Sequence, residues 1–235
     1  MLAALFVLTH VVLLHSLLPR LIIDSSLRGS MFTFFVLGNI ASGKSTASHY
    51  LAGTHGLYID LDELCKNMYV LGSSVVDDLA EHFGFQIIDS NGVINRQKLA
   101  RIAFASPESA QSLNAIVHPY LKEQLALRLF GSNCCTVEQP SYEYAVVEIS
   151  VASSLPEFAD LADCVVAITC PLATRRVRAI ERGMLASDFD ARALCQVDED
   201  DLCSMADIVI SNDGDAETLY NQLDLLLASK GFNRA

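Results

Sequence analysis

The chain has 235 residues, 51% of them hydrophobic and 19% charged, which suffices for one large domain or one domain with an inserted lobe. Its net charge of −12 excludes a general nucleic-acid-binding role, because phosphate backbones are bound through basic faces. The seven cysteines form no C-x-x-C pair, and two of them are adjacent as Cys134-Cys135. They read as reduced thiols of a cytoplasmic protein, most of them small buried hydrophobes, rather than as a disulfide framework or a metal site.

In chain order, the first segment, Met1 to Pro19, carries no charged side chain and is rich in Leu and Val, a length that fits a membrane span. It lacks the basic n-region of a secretory signal, and residues 25–30 make a poor cleavage site. Two readings of residues 1–30 stay open: a translation start set too far upstream, with Met31 opening the chain, or an N-terminal anchor that would bring in a membrane. Phe32–Leu37 is strand-like, and Gly38-Asn-Ile-Ala-Ser-Gly-Lys-Ser45 follows it and opens into a helical run to Ala52. Gly53–Gly56 is a turn, and Leu57–Asp60 a short buried strand ending in acid. Residues 61–130 carry helical periodicity, interrupted by a turn at Asp89–Gly92 and with a stop at His118-Pro119; residues 131–142 form a loop. Tyr144–Ile149 and Cys164–Thr169 are buried strands, and Leu172–Arg182 is a basic helix. Asp188–Met205 holds one or two helices, Asp207–Ser211 is a last strand and Ala216–Leu227 a last helix. Strands alternating with helices predict a parallel sheet of five strands covered on both faces, with a helical insertion between the second and third strands.

The segment 38–45 matches G-x-x-x-x-G-K-[ST], the phosphate-cradling P-loop, and its strand–loop–helix context is what that motif needs. Backbone N–H groups and a helix N-terminus converge there on a phosphate. Lys44 reaches toward the β- and γ-phosphates of ATP, and the Ser45 hydroxyl is a ligand for Mg²⁺. Asp60 and Asp62 stand at the end of the second strand, where ligands of open α/β sheets bind. Had the strand run on, they would share one face; one could orient the metal through water and the other take a proton from an attacking hydroxyl. The bland alternative is a cap for a helix starting near Glu63. Arg175, Arg176, Arg178 and Arg182 place four of the sixteen Lys and Arg within eight residues, with 175, 178 and 182 on one helical face, as in a charge-neutralising lid. Arg96, Lys98 and Arg101 form a weaker basic group, and Glu148 lies near the end of the third strand as either a metal-supporting or a buried or capping acid.

Several elements occur in one order: the loop Gly38–Thr46, Asp60-Leu-Asp62, Phe83-Gly-Phe, Asn91–Arg96 with Leu99, Phe104, Leu113–Pro119, the Arg178/Arg182 pair, Gln196 and Ala206–Asn212. From Met31 onward the series resembles the dephospho-coenzyme A kinase family. The resemblance implies a three-layer α/β/α P-loop NTPase fold over residues 31–230, with a helical acceptor-binding insert at about 61–130 and a lid at about 172–195. It implies ATP-dependent phosphorylation of the ribose 3′-hydroxyl of dephospho-CoA, with ATP and Mg²⁺ as cofactors. Asp62 then matches the base, and Lys44, Arg178 and Arg182 complete the transfer machinery. Gly38, Ala41, Ser42, Gly43, Lys44, Ser45 and Thr46 line the ATP site, and Asn212 matches a position near the nucleotide base. Asp60, Arg96 and His118 match the acceptor side. Four departures stand out: Asn39 and Ala41 where the family has glycines, Ser150-Val-Ala152 for a Pro-Leu-Leu run, Arg175 for a Gln, and the acidic run Asp198–Asp201 where a basic residue follows Gln196. Two alternatives remain: another small-molecule or nucleoside kinase of the same fold, and an ATP-binding regulatory homologue. Oligomeric state is not legible.

Overall fold

A computed structural model describes residues 31–131 and 142–233. The apolar segment 1–30, the Cys134-Cys135 pair and nearly all of the expected loop at 131–142 lie outside the described residues. The five apolar runs form the strands β1 Phe32–Leu37, β2 Gly56–Asp60, β3 Tyr144–Ile149, β4 Cys164–Thr169 and β5 Ile208–Ser211. They make one sheet in the order β2-β3-β1-β4-β5, every neighbouring pair parallel. The α-helices are α1 Lys44–Ala52, α2 Leu61–Met68, α3 Ser74–Phe83, α4 Arg96–Ala103, α5 Pro107–Phe130, the one-turn α6 Leu155–Phe158, α7 Leu172–Glu181, α8 Ala186–Leu194, α9 Glu199–Ser204 and α10 Ala216–Ser229.

β3 and β4 are buried at every residue, which is why they are apolar on both faces, save Glu148 and Thr169 near their ends, with no period-2 alternation. On one face Phe34, Val36, Tyr144, Val146, Val166 and Ile168 pack with Ala47 and Leu51 of α1 and with Leu219, Leu223, Leu226 and Leu227 of α10. The residues that alternate with them, among them Phe35, Leu37, Ala145, Val147 and Ala167, are fully buried on the opposite face. Side chains two apart share a face, so Glu148 falls on the same side as Tyr144 and Val146, the side covered by α1. The register also pairs Asp60 with Glu148, setting two carboxylates abreast at the end of the sheet.

The second strand ends at Asp60, as expected, and because α2 starts at once at Leu61 the two acids do not share a strand face. The reason is local, since the Asp60 carboxylate caps α2 by accepting from the backbone N–H of Asp62 at 2.8 Å and of Glu63 at 3.1 Å. Nor does His118-Pro119 end a helix, because Pro119 lies inside the 24-residue α5. A proline there forfeits the bond to the carbonyl four residues back and costs about 3 kcal/mol. Val117, Leu121, Leu125 and Leu129, buried at four-residue intervals on both sides of it, hold the helix together. The helical run expected at 61–130 is α2–α5, and the stretch expected to hold one or two helices holds α8 and α9.

Candidate functional site

The loop between β1 and α1 lines a cleft of about 480 Å³ at the carboxyl ends of β1, β2 and β3. Every residue from Gly38 to Thr46 borders it, joined by Asp60, Asp62, Glu148, Ser150, Arg182, Arg192 and Gln196. Helix α1 has no side-chain cap, so its first N–H groups carry the helix dipole into the cleft. Its N-cap, Gly43, has φ +93°, and a Cβ there would lie 2.1 Å from Asn212 Nδ2. Asn212 is buried and donates from Nδ2 to the Ser42 carbonyl at 2.7 Å, bracing the loop from behind. Its own carbonyl accepts from Arg178 at 2.9 Å. Asn212, expected near the nucleotide base, is thus committed to the loop and does not border the cleft. Ala41 has φ +60°, in the left-handed region where a side chain costs about 1–2 kcal/mol. The Ser42 hydroxyl is a buried side-chain oxygen with no hydrogen-bond partner among the described residues.

Behind the loop, Glu148 ties three residues together. One carboxylate oxygen pairs with the Lys44 ammonium and accepts from Ser45 Oγ at 2.6 Å; the other accepts from Tyr58 OH at 2.8 Å. Lys44 Nζ also reaches Ser150 Oγ at 3.2 Å. Burial alone would push the Glu148 carboxyl up, but the Lys44 cation and the Ser45 and Tyr58 hydroxyls outweigh it and hold it below the usual carboxylate range. The same carboxylate, with burial as the larger cause, pushes the Tyr58 phenol well above its ordinary value, so Tyr58 remains a donor.

Of the basic helix, Arg182 borders the cleft. Arg175 is buried, donating to the Cys170 carbonyl at 2.9 Å and reaching the Ile40 carbonyl at 3.5 Å. Arg178 points at Asn212, and Arg176 makes a two-toothed pair with Asp190 of α8. The shared face expected for 175, 178 and 182 therefore divides its work, two side chains bracing the loop region and one facing the ligand space. Asp62 projects from the first turn of α2 onto the cleft, exposed. Arg96 and His118 stand apart from it: Arg96 is exposed at the start of α4, and His118 is half-buried, edge-on to Phe158 at 5.5 Å. Burial holds the His118 imidazole below its ordinary value against the opposing pull of Glu157. Arg192 is a cleft residue that the sequence reading passed over. Tyr58 was passed over as well, since an aromatic in a short apolar strand reads as core.

The sequence pattern of the dephospho-CoA kinase family (CoaE) matches residues 34–218. The chain belongs to this family. It is 33% identical over 198 residues to the dephospho-CoA kinase of Corynebacterium efficiens, covering 84% of this chain and 96% of that one. It is 32% identical over 203 residues to the dephospho-CoA kinase of Staphylococcus epidermidis, covering 84% of this chain and 94% of that one. Among solved structures, a Thermus thermophilus protein superimposes with a TM-score of 0.68 at 26% identity, covering 86% of this chain and 98% of that one. For a member of the dephospho-CoA kinase family, the departures gain physical readings. Ser150 is a partner of Lys44. The acidic run is the start of α9, with Asp198 capping it through a 2.7 Å bond from the Asp201 N–H and three acids in its first turn, where the helix dipole favours them.

Proposed function

We propose that this chain transfers the γ-phosphoryl group of ATP to the ribose 3′-hydroxyl of dephospho-CoA, the last step of coenzyme A synthesis. The observation that carries the reading is the meeting of an intact phosphate loop with Asp60 and Asp62 in one cleft. In this reading the uncapped N–H groups of α1 and the Lys44 ammonium hold the phosphates of ATP. Asp62, free in the cleft while Asp60 caps α2, orients the acceptor hydroxyl and takes its proton. Arg182 and Arg192 stabilise charge on the transferring group. Arg178 acts as a positioning residue through Asn212. Arg96 and His118, in the α2–α5 insert, are assigned to the acceptor side on their family match. The parts correspond to an insert at about 61–130 and a lid at about 172–195 within a kinase domain of about 31–230.

The donor set also fits Mg²⁺. Ser45, Asp60, Asp62 and Glu148 offer only oxygen. No group of three His, Cys, Asp or Glu residues is poised for a metal among the described residues. Mg²⁺ suits such a site because it takes one or two protein oxygens and completes its shell with phosphates and water. When bound, it neutralises phosphate charge. No helix of the described residues is long and apolar enough to cross a membrane. The five free cysteines among the described residues support the cytoplasmic setting that goes with this reading.

The test is release of ADP with dephospho-CoA, nucleosides and a shikimate-like alcohol as acceptors. Dephospho-CoA is expected to stand out by orders of magnitude. Equal turnover with a nucleoside, or no release with any acceptor, overturns the reading.

A further inference from the structure

The P-loop is held from outside at two points by the segment that links α8 to α9. The Ile40 N–H donates to the Gln196 side-chain oxygen at 2.8 Å, and the Asn39 side-chain amide donates to the Val197 carbonyl at 3.0 Å. Between these bonds and the helix lies Ala41, at φ +60°. A non-glycine residue persists in that conformation only when its surroundings over-determine it. The surroundings here are identifiable. Ile40 is anchored through its N–H by Gln196, with the longer Arg175 contact on its carbonyl, and the Asn39 carbonyl accepts from the Ser42 N–H at 3.1 Å, closing a turn around Ala41. Asn39 is buried, and Gln196 is half-buried and borders the cleft.

We infer that Gln196 and Asn39 form a latch that holds the strained phosphate loop in its ligand-ready shape, making both positioning residues for nucleotide binding. The inference rests on the proposed kinase reading for its nucleotide. It explains two departures together. A glycine at 41 would adopt φ +60° at no steric cost and would not need the latch, whereas alanine there needs an external hold, and Asn39 supplies one arm of it. The segment 196–197 immediately follows α8, whose Arg192 faces the cleft, so the latch also ties the loop to one wall of the lid. If the loop relaxes, apparent affinity falls by the fraction of molecules left in the competent shape.

The experiment is a double-mutant cycle on the full chain, with ADP binding measured by calorimetry in Mg²⁺ buffer. Gln196→Ala should weaken ADP binding roughly five- to tenfold, the worth of one hydrogen bond that holds a strained segment. In the Ala41→Gly background the same change should cost less than about twofold. Asn39→Ala should show the same dependence on residue 41, and serves if Gln196→Ala folds poorly. Equal losses in both backgrounds would mean that Gln196 acts by direct contact or general support, and overturn the latch; no loss in either background overturns it too. ADP binding is read without an acceptor, so a failure of the dephospho-CoA assignment shows up in the ADP-release assay and leaves this cycle readable.

Discussion

Replacing Glu148 by Gln tests whether the buried carboxylate behind the loop is a charge anchor or a space-filler. Glu148 is 3% exposed and accepts from Lys44, Ser45 and Tyr58. A hydrogen bond to a charged group contributes about 1.5–3 kcal/mol and a neutral one about 0.5–1.5, so the Ser45 and Tyr58 bonds lose about 1 kcal/mol each, and reducing the Lys44 ion pair to a bond with one charged partner costs about 1 kcal/mol more, or about 3 kcal/mol in all. Relief of repulsion from Asp60, abreast in the register, returns some of this, on the order of 0.5 kcal/mol. The expected net loss is about 2–3 kcal/mol, read from urea unfolding at pH 7. The pH dependence supplies the sharper criterion. The folded-state pKa of Glu148 is lowered, so its contribution is complete above the unfolded carboxylate value of about 4.3 and fades as pH falls through the folded value. The gap between wild type and Glu148→Gln should therefore stay constant from pH 8 to about 5 and shrink below about 4. A loss under about 1 kcal/mol at pH 7, or a gap that persists undiminished in acid, refutes the charge-anchor account.

Asp62→Asn should lower kcat with dephospho-CoA by about 10²–10⁴, the usual worth of a general base, with the KM for ATP little changed; near-normal kcat would remove Asp62 from that role. Asn212→Ala deletes the buried bond to the Ser42 carbonyl, at a cost of about 1–3 kcal/mol, which lowers Tm by roughly 2–10 °C in a domain of this size and raises the KM for ATP. An unshifted KM would restrict Asn212 to a purely structural part. His118 has a folded pKa below its unfolded value of about 6.5, so the unfolded chain binds the extra proton and stability falls as pH drops below about 6.5. His118→Gln should flatten that part of the stability–pH curve, and parallel curves would show that His118 does not carry the slope.

The central strands were legible because both their faces are covered: Val165–Ile168 is an unbroken apolar run, β3 is apolar but for Tyr144 and Glu148, and all of these residues are buried. The phosphate loop was legible because its geometry demands particular residues at fixed spacing. What escaped the sequence was decided by contacts between distant segments. Arg178 and Asn212 are 34 residues apart, and nothing in either neighbourhood says that they meet. Asp60 and Asp62 look equivalent in sequence, yet capping α2 occupies Asp60 and leaves Asp62 turned toward the cleft. Pro119 looked like a stop because proline's local cost is known from sequence, while the buried stripe that offsets it is a tertiary fact.

The cleft's charges explain how so acidic a chain can serve a polyphosphate. Three cations, Lys44, Arg182 and Arg192, face three carboxylates, Asp60, Asp62 and Glu148, so the lining is formally neutral within a chain of net charge −12. Net attraction cannot then be the basis of nucleotide binding. The uncapped N–H groups of α1, aimed by the loop's backbone, must then supply much of it, and in the proposed reading Mg²⁺ would add the positive charge that the side chains lack. That places unusual weight on loop shape, because backbone amides bind a phosphate only when they point at it together. The braces follow from the same need: Asn212 behind Ser42, Glu148 behind Lys44 and Ser45, and Gln196 on Ile40 each fix a part of the loop that carries no countercharge of its own to spare. The departures from the family pattern at Asn39, Ser150 and Arg175 fall on such bracing contacts, and Asp62, Arg182 and Arg192 stay turned toward the ligand space.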